Sequence, residues 1–194
     1  MSSCLVDFGA SIWYHIITRI TRLDRIMKKL VLVINGQGGV GKDALCDIAA
    51  RHFKVKNISS ITPIKEIAKM CGWDGRKDDR SRKFLADLKS LSVEYNDYPT
   101  LWAVGEYEKF LSSDENIMFV HIREPEEIAK FVEKTNGEAK TLLVRAGDRI
   151  KRSAYGNAAD DLVENYSYDY YFMNDKTLEE AEVGFVKLLS DILA

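Results

Sequence analysis

The chain has 194 residues, of which 46% are hydrophobic and 30% charged, a balance typical of one globular domain with a substantial core. Its formal net charge of −2 provides no global positive field, so we predict no nucleic-acid partner. The three cysteines are scattered and form no CxxC pair, which argues against a zinc site or a disulfide framework. This cysteine usage favours a reducing, cytoplasmic compartment.

Residues 1–26 are predicted to be an upstream extension, native or not, that contributes nothing to the chemistry. Met27 is followed at once by "KKLVLVING", which has the pattern of a first strand. The apolar stretch at residues 12–17 is interrupted by His15 and is too short to span a membrane. It also lacks the basic leader and cleavage site of a signal peptide. We therefore expect no membrane partner and a single domain over residues 27–194.

Strand and helix patterns alternate from residue 30 onwards. "LVLVI" is a continuous apolar run, as expected for a strand covered on both faces, and helical spacing follows from Ala44 to Phe53. "VKNISSI" is a second predicted strand, and "IKEIAKMCG" a helix with Thr62 as a candidate cap and Pro63 in its first turn. The polar run "DGRKDDRSRK" is predicted to be surface, with helix resuming at "FLADLKSLSVEY" and again at "TLWAVGEYEKFL".

The second half of the chain continues this alternation. "NIMFVHI" is a predicted strand, followed by a helix that starts near Pro125 and by the strand "AKTLLVRA". "YDYYFMND" is the last predicted strand, and Asp175 or Thr177 caps the final helix. This rhythm predicts an α/β fold, with a central parallel sheet of about five strands and helices on both faces.

A glycine-rich turn between the first strand and the first helix carries the strongest chemical signal. Gly36, Gly41 and Lys42 fit the pattern G-x-x-x-x-G-K. Successive backbone N–H groups in such a turn form an anion-sized cup, and the following helix N-terminus adds positive potential. The plain alternative is a glycine-rich turn with a surface lysine. The predicted phosphate-binding residues are Gly36, Gln37, Gly38, Gly39, Val40, Gly41, Lys42, Asp43 and Ala44.

Asp43 stands where such loops usually place serine or threonine, whose hydroxyl binds Mg²⁺ directly. A carboxylate at this position could hold the ion through a water, because Mg²⁺ keeps several of its waters. It could equally serve only to stabilise the helix N-terminus as an anion. Asp43 is therefore a candidate metal-binding residue with a structural alternative.

The ending "GKD" resembles the phage- and bacterial-type deoxynucleoside monophosphate kinases, and animal-type phosphomevalonate kinases share it. The resemblance extends to "ITPIKEIAKMCGWDGRKDDRSRKFLADL", which is similar to that family's substrate-side helices. "HIREPEEI" resembles the family's segment after a central strand, and "YDYYFMNDKTLEEA" its last strand, Asn-Asp turn and final helix. Together these segments cover residues 30–193. The resemblance implies a three-layer P-loop NTPase fold that uses ATP and Mg²⁺.

The resemblance also implies roles for residues outside the loop. Lys65 and Arg80 match the segment that holds the acceptor phosphate, and Trp102 matches a tryptophan that could stack on a base. Lys65 could as well lie on an exposed helix face, and Trp102 could simply pack in the core or line the cleft. Arg123 matches the family's arginine after the central strand. A lid near residues 147–165 would place basic side chains, Arg152 among them, over the transferring phosphoryl group.

Two departures from that family bear on catalysis. His121 replaces an aspartate at the carboxyl end of a central strand, where ligands of open α/β sheets collect. The lid segment does not carry the family's His-x-Ser-Glu pattern. The sequence thus predicts an ATP-dependent kinase of a (deoxy)nucleoside monophosphate or similar phosphomonoester, acting as a monomer or homodimer. The alternatives are a kinase of another small molecule, such as dephospho-coenzyme A or phosphomevalonate, and a nucleotide-binding regulatory protein.

Overall fold

The computed structural model describes residues 28–147 and 162–194. Five strands in this part of the chain form one sheet: β1 (Leu30–Asn35), β2 (Val55–Ser59), β3 (Ile117–His121), β4 (Lys140–Arg145) and β5 (Tyr170–Met173). They lie in the order β2–β3–β1–β4–β5, and every neighbouring pair is parallel. The predicted parallel sheet of about five strands is confirmed.

Helices cover both faces of this sheet, which completes the predicted three-layer α/β fold. The described helices are α1 (Lys42–His52), α2 (Thr62–Met70), α3 (Asp79–Asn96), α4 (Tyr98–Leu111), α5 (Pro125–Lys134) and α6 (Leu178–Leu193). Helices α1 and α6 pack together on one face, while α4 and α5 pack on the other, with α2 and α3 against α4. None of the helices in the described ranges is long and apolar enough to cross a bilayer.

Strand β1 shows why the sheet is buried on both sides. All six of its residues are buried, as the continuous apolar run predicts. Leu32 and Ile34 point to the face where Ile48 of α1 and Phe185 of α6 pack. The alternating residues, Val31 and Val33, point to the opposite core; its helical members are Ala103, Phe110, Ile128 and Phe131.

Three helix starts test the sequence expectations. The prediction that Thr62 caps α2 is wrong: α2 begins at Thr62 itself, and no side chain caps it. Helix α3 begins within the run expected to be polar surface, because Asp78 accepts a 2.8 Å hydrogen bond from the Ser81 N–H and so caps it. The cap of α6 is Thr177, with a reciprocal capping box to Glu180.

The sheet order opens a crevice beside β1. Helix α1 follows β1 on one face of the sheet, whereas α5 follows the neighbouring β3 on the other face. Connections that leave adjacent parallel strands towards opposite faces create a crevice at the carboxyl ends of those strands. The glycine loop after β1 and the segment after β3, with His121 and Arg123, therefore flank one opening.

Candidate phosphate-binding site

The turn between β1 and α1 depends on glycine at its two ends. Gly36 has φ 149° and Gly41 has φ 90°, both in the region that side chains disfavour. A Cβ atom at Gly36 would lie 2.4 Å from the Val144 carbonyl oxygen, a backbone atom that cannot move aside. A Cβ atom at Gly41 would lie 2.6 Å from the Asn174 amide nitrogen. The loop is therefore packed tightly against β4 and against the segment after β5.

The start of α1 supplies the donors that an anion needs. Gly41 occupies the capping position in a left-handed conformation, and no side chain caps the first turn of α1. Backbone N–H groups in a first turn have no partner within their own helix, and the helix dipole adds positive potential there. The Lys42 ammonium lies over the loop and donates to the Gly36 carbonyl at 2.5 Å and the Gln37 carbonyl at 3.0 Å. The glycine turn and the Lys42 ammonium therefore lie together in the structure, while phosphate binding by them stays a prediction.

Asn35, the last residue of β1, fixes the base of the loop. Its side chain is fully buried, and its Oδ1 accepts a 2.8 Å hydrogen bond from the Gly36 N–H. Its Nδ2 donates to the Arg123 carbonyl at 3.0 Å and to the Tyr168 hydroxyl at 2.8 Å. The Tyr168 hydroxyl in turn donates to the Val163 carbonyl at 2.9 Å. One amide therefore ties the phosphate loop to the segment that carries Arg123, across the crevice.

Asn174, just after β5, fixes the other end of the loop. Its Nδ2 donates to the Val40 carbonyl at 2.8 Å, and its own N–H donates to the Arg145 carbonyl at 2.6 Å. These two bonds hold the end of the loop against the carboxyl end of β4. The glycine at position 41 is required here because Asn174 occupies the space where a side chain would project.

His121 lies at the carboxyl end of β3, on the face of the sheet that carries α1. Its Nε2–H donates a 2.9 Å hydrogen bond to the Asn57 Oδ1. Burial lowers the pKa of His121 below its usual 6.5; Asp43 opposes this shift, while Lys42 and Arg123 reinforce it. The imidazole is therefore neutral near pH 7, and it shares its surroundings with two cations and one carboxylate.

Cys46 of α1 touches the same histidine, with its Sγ 3.7 Å from the His121 Nε2. Burial raises the pKa of this thiol to about 12, with Asp43 and Asp47 adding to the effect. A thiol with so high a pKa stays protonated and is a poor nucleophile or metal ligand at neutral pH. Cys46 therefore packs the site rather than reacting in it.

The chain provides one acidic side chain in the first turn of α1. Asp43 is exposed beside the loop, and no group of three or more His, Cys, Asp or Glu side chains in the described ranges could cage a metal by itself. Mg²⁺ commonly binds through one or two carboxylates together with substrate phosphates and several waters. Asp43 fits that mode of binding, in which the nucleotide supplies most of the inner ligands.

Arg123 lies at the crevice just after β3, whereas the other predicted acceptor residues lie on helices α2, α3 and α4. Arg123 is exposed at the crevice and influences the pKa of His121. Lys65 is exposed on α2, and Arg80 is exposed near the start of α3. Trp102 lies on α4, where it is partly buried and packs against the core. Acceptor contacts by Lys65, Arg80 and Trp102 stay predictions.

The predicted lid lies mostly outside the described residues, and so does the predicted catalytic Arg152. At its edges, Arg145 forms an ion pair with Glu164 at 2.5 Å and lies over the Tyr171 ring, 5.0 Å from its centre. A cavity of about 200 Å³ opens beside this pair, between the phosphate loop and the ends of β4 and β5. Its walls include Gln37 and Val40 of the loop.

Sequence reasoning missed the two asparagines that hold the loop. Asn35 carries a weak signal, because a polar residue ends an otherwise apolar strand immediately before glycine. Asn174 belongs to an Asn-Asp turn whose family resemblance is visible, but its bond to Val40 joins residues far apart in the chain. Only the folded sheet brings that pair together.

No family model and no curated protein matches the chain. Solved structures that resemble it include a shikimate kinase from Aquifex aeolicus VF5, at 13% identity and TM-score 0.43, over 84% of this chain and 98% of that chain. A gluconokinase from Sinorhizobium meliloti 1021 has 19% identity and TM-score 0.42, over 87% and 97% of the two chains. The Mycobacterium tuberculosis APS kinase CysC, in complex with AMPPNP and APS, has 12% identity and TM-score 0.39, over 84% and 98%. Since these TM-scores lie below 0.5, the fold and the site rest on the sheet order and the loop geometry.

Proposed function

We propose that this chain binds ATP at the loop of residues 36–44 and transfers its γ-phosphoryl group to a phosphomonoester, such as a (deoxy)nucleoside monophosphate. The observation that supports this proposal is the glycine loop itself, with Lys42 above it and an uncapped helix behind it. A β- or γ-phosphate oxygen is a stronger acceptor for an ammonium than a backbone carbonyl. Lys42 would therefore exchange its bonds to Gly36 and Gln37 for phosphate on binding ATP.

The charges around His121 favour a phosphate over a hydroxyl as the acceptor. A hydroxyl acceptor gives up its proton, and a carboxylate usually orients it. Here the described end of β3 offers a neutral histidine with two cations, Lys42 and Arg123, and one carboxylate, Asp43, which this proposal assigns to the metal. An acceptor phosphate is already anionic, so it needs positive charge and alignment more than a base. Arg123 is the side chain that we propose to hold it, with Lys65, Arg80 and Trp102 as further acceptor contacts.

The donor site is compatible with Mg²⁺, for which Asp43 is the proposed protein contact through a water. When bound, the ion would neutralise charge on the β- and γ-phosphates. Asp43 lies in the first turn of α1, beside Lys42, and so on the side of the loop where those phosphates would lie. Arg152, in the lid segment, is the proposed cation for the charge that develops on the transferring group.

Lys42→Ala tests the donor half of the proposal. We expect this variant to lose ATP-dependent phosphoryl transfer to every member of a nucleoside monophosphate panel, while its circular dichroism is unchanged. Lys69→Ala is the matched control, because Lys69 is exposed on α2 and pairs only with Glu66 at 2.9 Å in the described structure. Retained turnover in Lys42→Ala would overturn the mechanism.

Arg123→Ala tests the acceptor half. We expect the KM for the acceptor to rise far more than the KM for ATP, because this proposal assigns the Arg123 guanidinium to the acceptor and not to ATP. The acceptor panel includes nucleoside monophosphates, dephospho-coenzyme A, phosphomevalonate and simple alcohols. A chain that phosphorylates an alcohol fastest would contradict the phosphomonoester assignment while leaving the ATP site intact.

His121 favours one second candidate, a nucleotide-binding regulatory protein with little catalysis. A neutral imidazole cannot supply the negative charge that an aspartate at the same position would supply to a metal. Isothermal titration with ATP and its non-hydrolysable analogue separates the two candidates when combined with the acceptor panel. Tight ATP binding without turnover on any acceptor would support the regulatory protein.

A further inference from the structure

Helix α3 carries apolar side chains on both its inner and its outer side. It is the longest described helix, with 18 residues, and none of them is buried. Its inner side, with Leu85, Leu88 and Val93, is half-buried against the domain. Its outer side also carries large apolar groups: Phe84, Leu91 and Tyr95 are 36%, 64% and 87% exposed. An apolar row of this kind on the outer side of a helix indicates a contact surface.

The outer side follows the spacing of a helix-pairing seam. Exposed residues recur along it every three or four positions, with the last place shared by two neighbours: Arg80, Phe84, Asp87, Leu91, and Glu94 with Tyr95. We propose that this seam joins two copies of the chain, with their α3 helices antiparallel about a twofold axis. The proposal does not depend on the kinase function proposed above, and in the dimer Arg80 would pair with the partner chain instead of with an acceptor.

The seam is complementary to itself in a single antiparallel register. When the twofold axis passes between positions 87 and 88, Phe84 packs against the partner's Leu91. The same register places Arg80 beside the partner's Glu94 and over the partner's Tyr95, which combines an ion pair with a cation–π contact. Apolar and charged positions therefore agree on one alignment, as an isologous interface requires.

This register brings the two Asp87 carboxylates, one from each chain, towards each other, and a lysine of the same chain offsets each charge. The two Asp87 side chains fall beside the axis, and Lys83 of the same helix forms an ion pair with each at 2.7 Å. Two further exposed apolar side chains follow directly after α3 in the chain, Tyr98 and Leu101 at the start of α4, which are 37% and 45% exposed. These side chains would add apolar area to that of the helix pair, and stable dimers need a large buried area.

Sedimentation equilibrium of the full chain tests the interface. We expect a monomer–dimer equilibrium, and we expect Leu91→Glu to weaken the dimer about tenfold or more, because a charge would enter the apolar seam. The matched control is Val183→Glu on α6, which is 73% exposed and lies outside the seam, and which should leave the dimer unchanged. A native chain that stays monomeric up to its solubility limit, or an equal effect of both variants, would overturn the proposal.

A charge exchange tests the register. Glu94→Arg brings two arginines together across the axis, and Arg80→Glu brings two glutamates together, so each variant alone should dimerise more weakly than the native chain. Mixed in equal amounts, the two variants should form a heterodimer, because both cross-axis pairs then regain opposite charges. Native mass spectrometry reads out that species. A mixture that shows no preference for the heterodimer would refute the register.

Discussion

Replacing Asn35 by alanine removes the bond that supports the base of the phosphate loop. The Gly36 N–H would lose its partner in a buried position, which costs about 2 kcal/mol, and the Tyr168 hydroxyl and Arg123 carbonyl would each lose one bond at about 0.5–1 kcal/mol. We expect a total loss of about 3–4 kcal/mol in the free energy of unfolding. For a domain of this size, that loss corresponds to a fall of roughly 10 °C in Tm.

Urea unfolding monitored by circular dichroism measures this loss, with differential scanning calorimetry for Tm. Asn165→Ala is the control, because Asn165 is exposed in the short turn after residue 162, and we expect a change within about 0.5 kcal/mol. Tyr168→Phe keeps the ring and loses only the hydroxyl, so its loss in the free energy of unfolding should lie between those of Asn35→Ala and Asn165→Ala. A loss below about 1 kcal/mol for Asn35→Ala would show that the network does not support the loop.

Three further predictions concern the loop and the helices around it. Gly36→Ala should abolish ATP binding in calorimetry, since its Cβ would meet the Val144 carbonyl at 2.4 Å, whereas Gly105→Ala, with no atom within 4 Å of its Cβ, should bind normally. Lys109 and Lys56 lower the pKa of Glu106 from 4.5, so Glu106→Gln should unfold more easily at neutral pH, and this difference should shrink as pH falls through the lowered value. Thr177→Ala should cost about 1 kcal/mol in urea unfolding, and equal stability would contradict the capping box.

The parallel sheet was predictable because its signal is local. The first five residues of β1 are apolar enough to be buried on either face, and the glycine turn follows directly after Asn35, so neighbouring residues identify both strand and loop. The ends of α2 and α3 were less predictable. Thr62 and Asp78 both have side chains that can cap a helix, but only Asp78 does so. Whether such a residue caps its helix depends on the conformation of the chain around it, which composition does not reveal.

The sequence could place the residues proposed to contact an acceptor only in outline. The position of Arg123 follows from its place just after a central strand, since strand ends gather at one edge of the sheet. Lys65 and Arg80 lie on helices whose orientation depends on packing between α2, α3 and α4, and sequence spacing does not determine that packing. The neutral state of His121 likewise arises from burial by groups distant in the chain.

Asn174 has a consequence for how the molecule is made. The ribosome delivers the phosphate loop first, and the side chain that holds the Val40 carbonyl follows 134 residues later. Helix α6, which brings Phe185 against the helix behind the loop, arrives later still. A chain cut before Asn174 therefore presents the whole glycine motif without the hydrogen bond that holds its end.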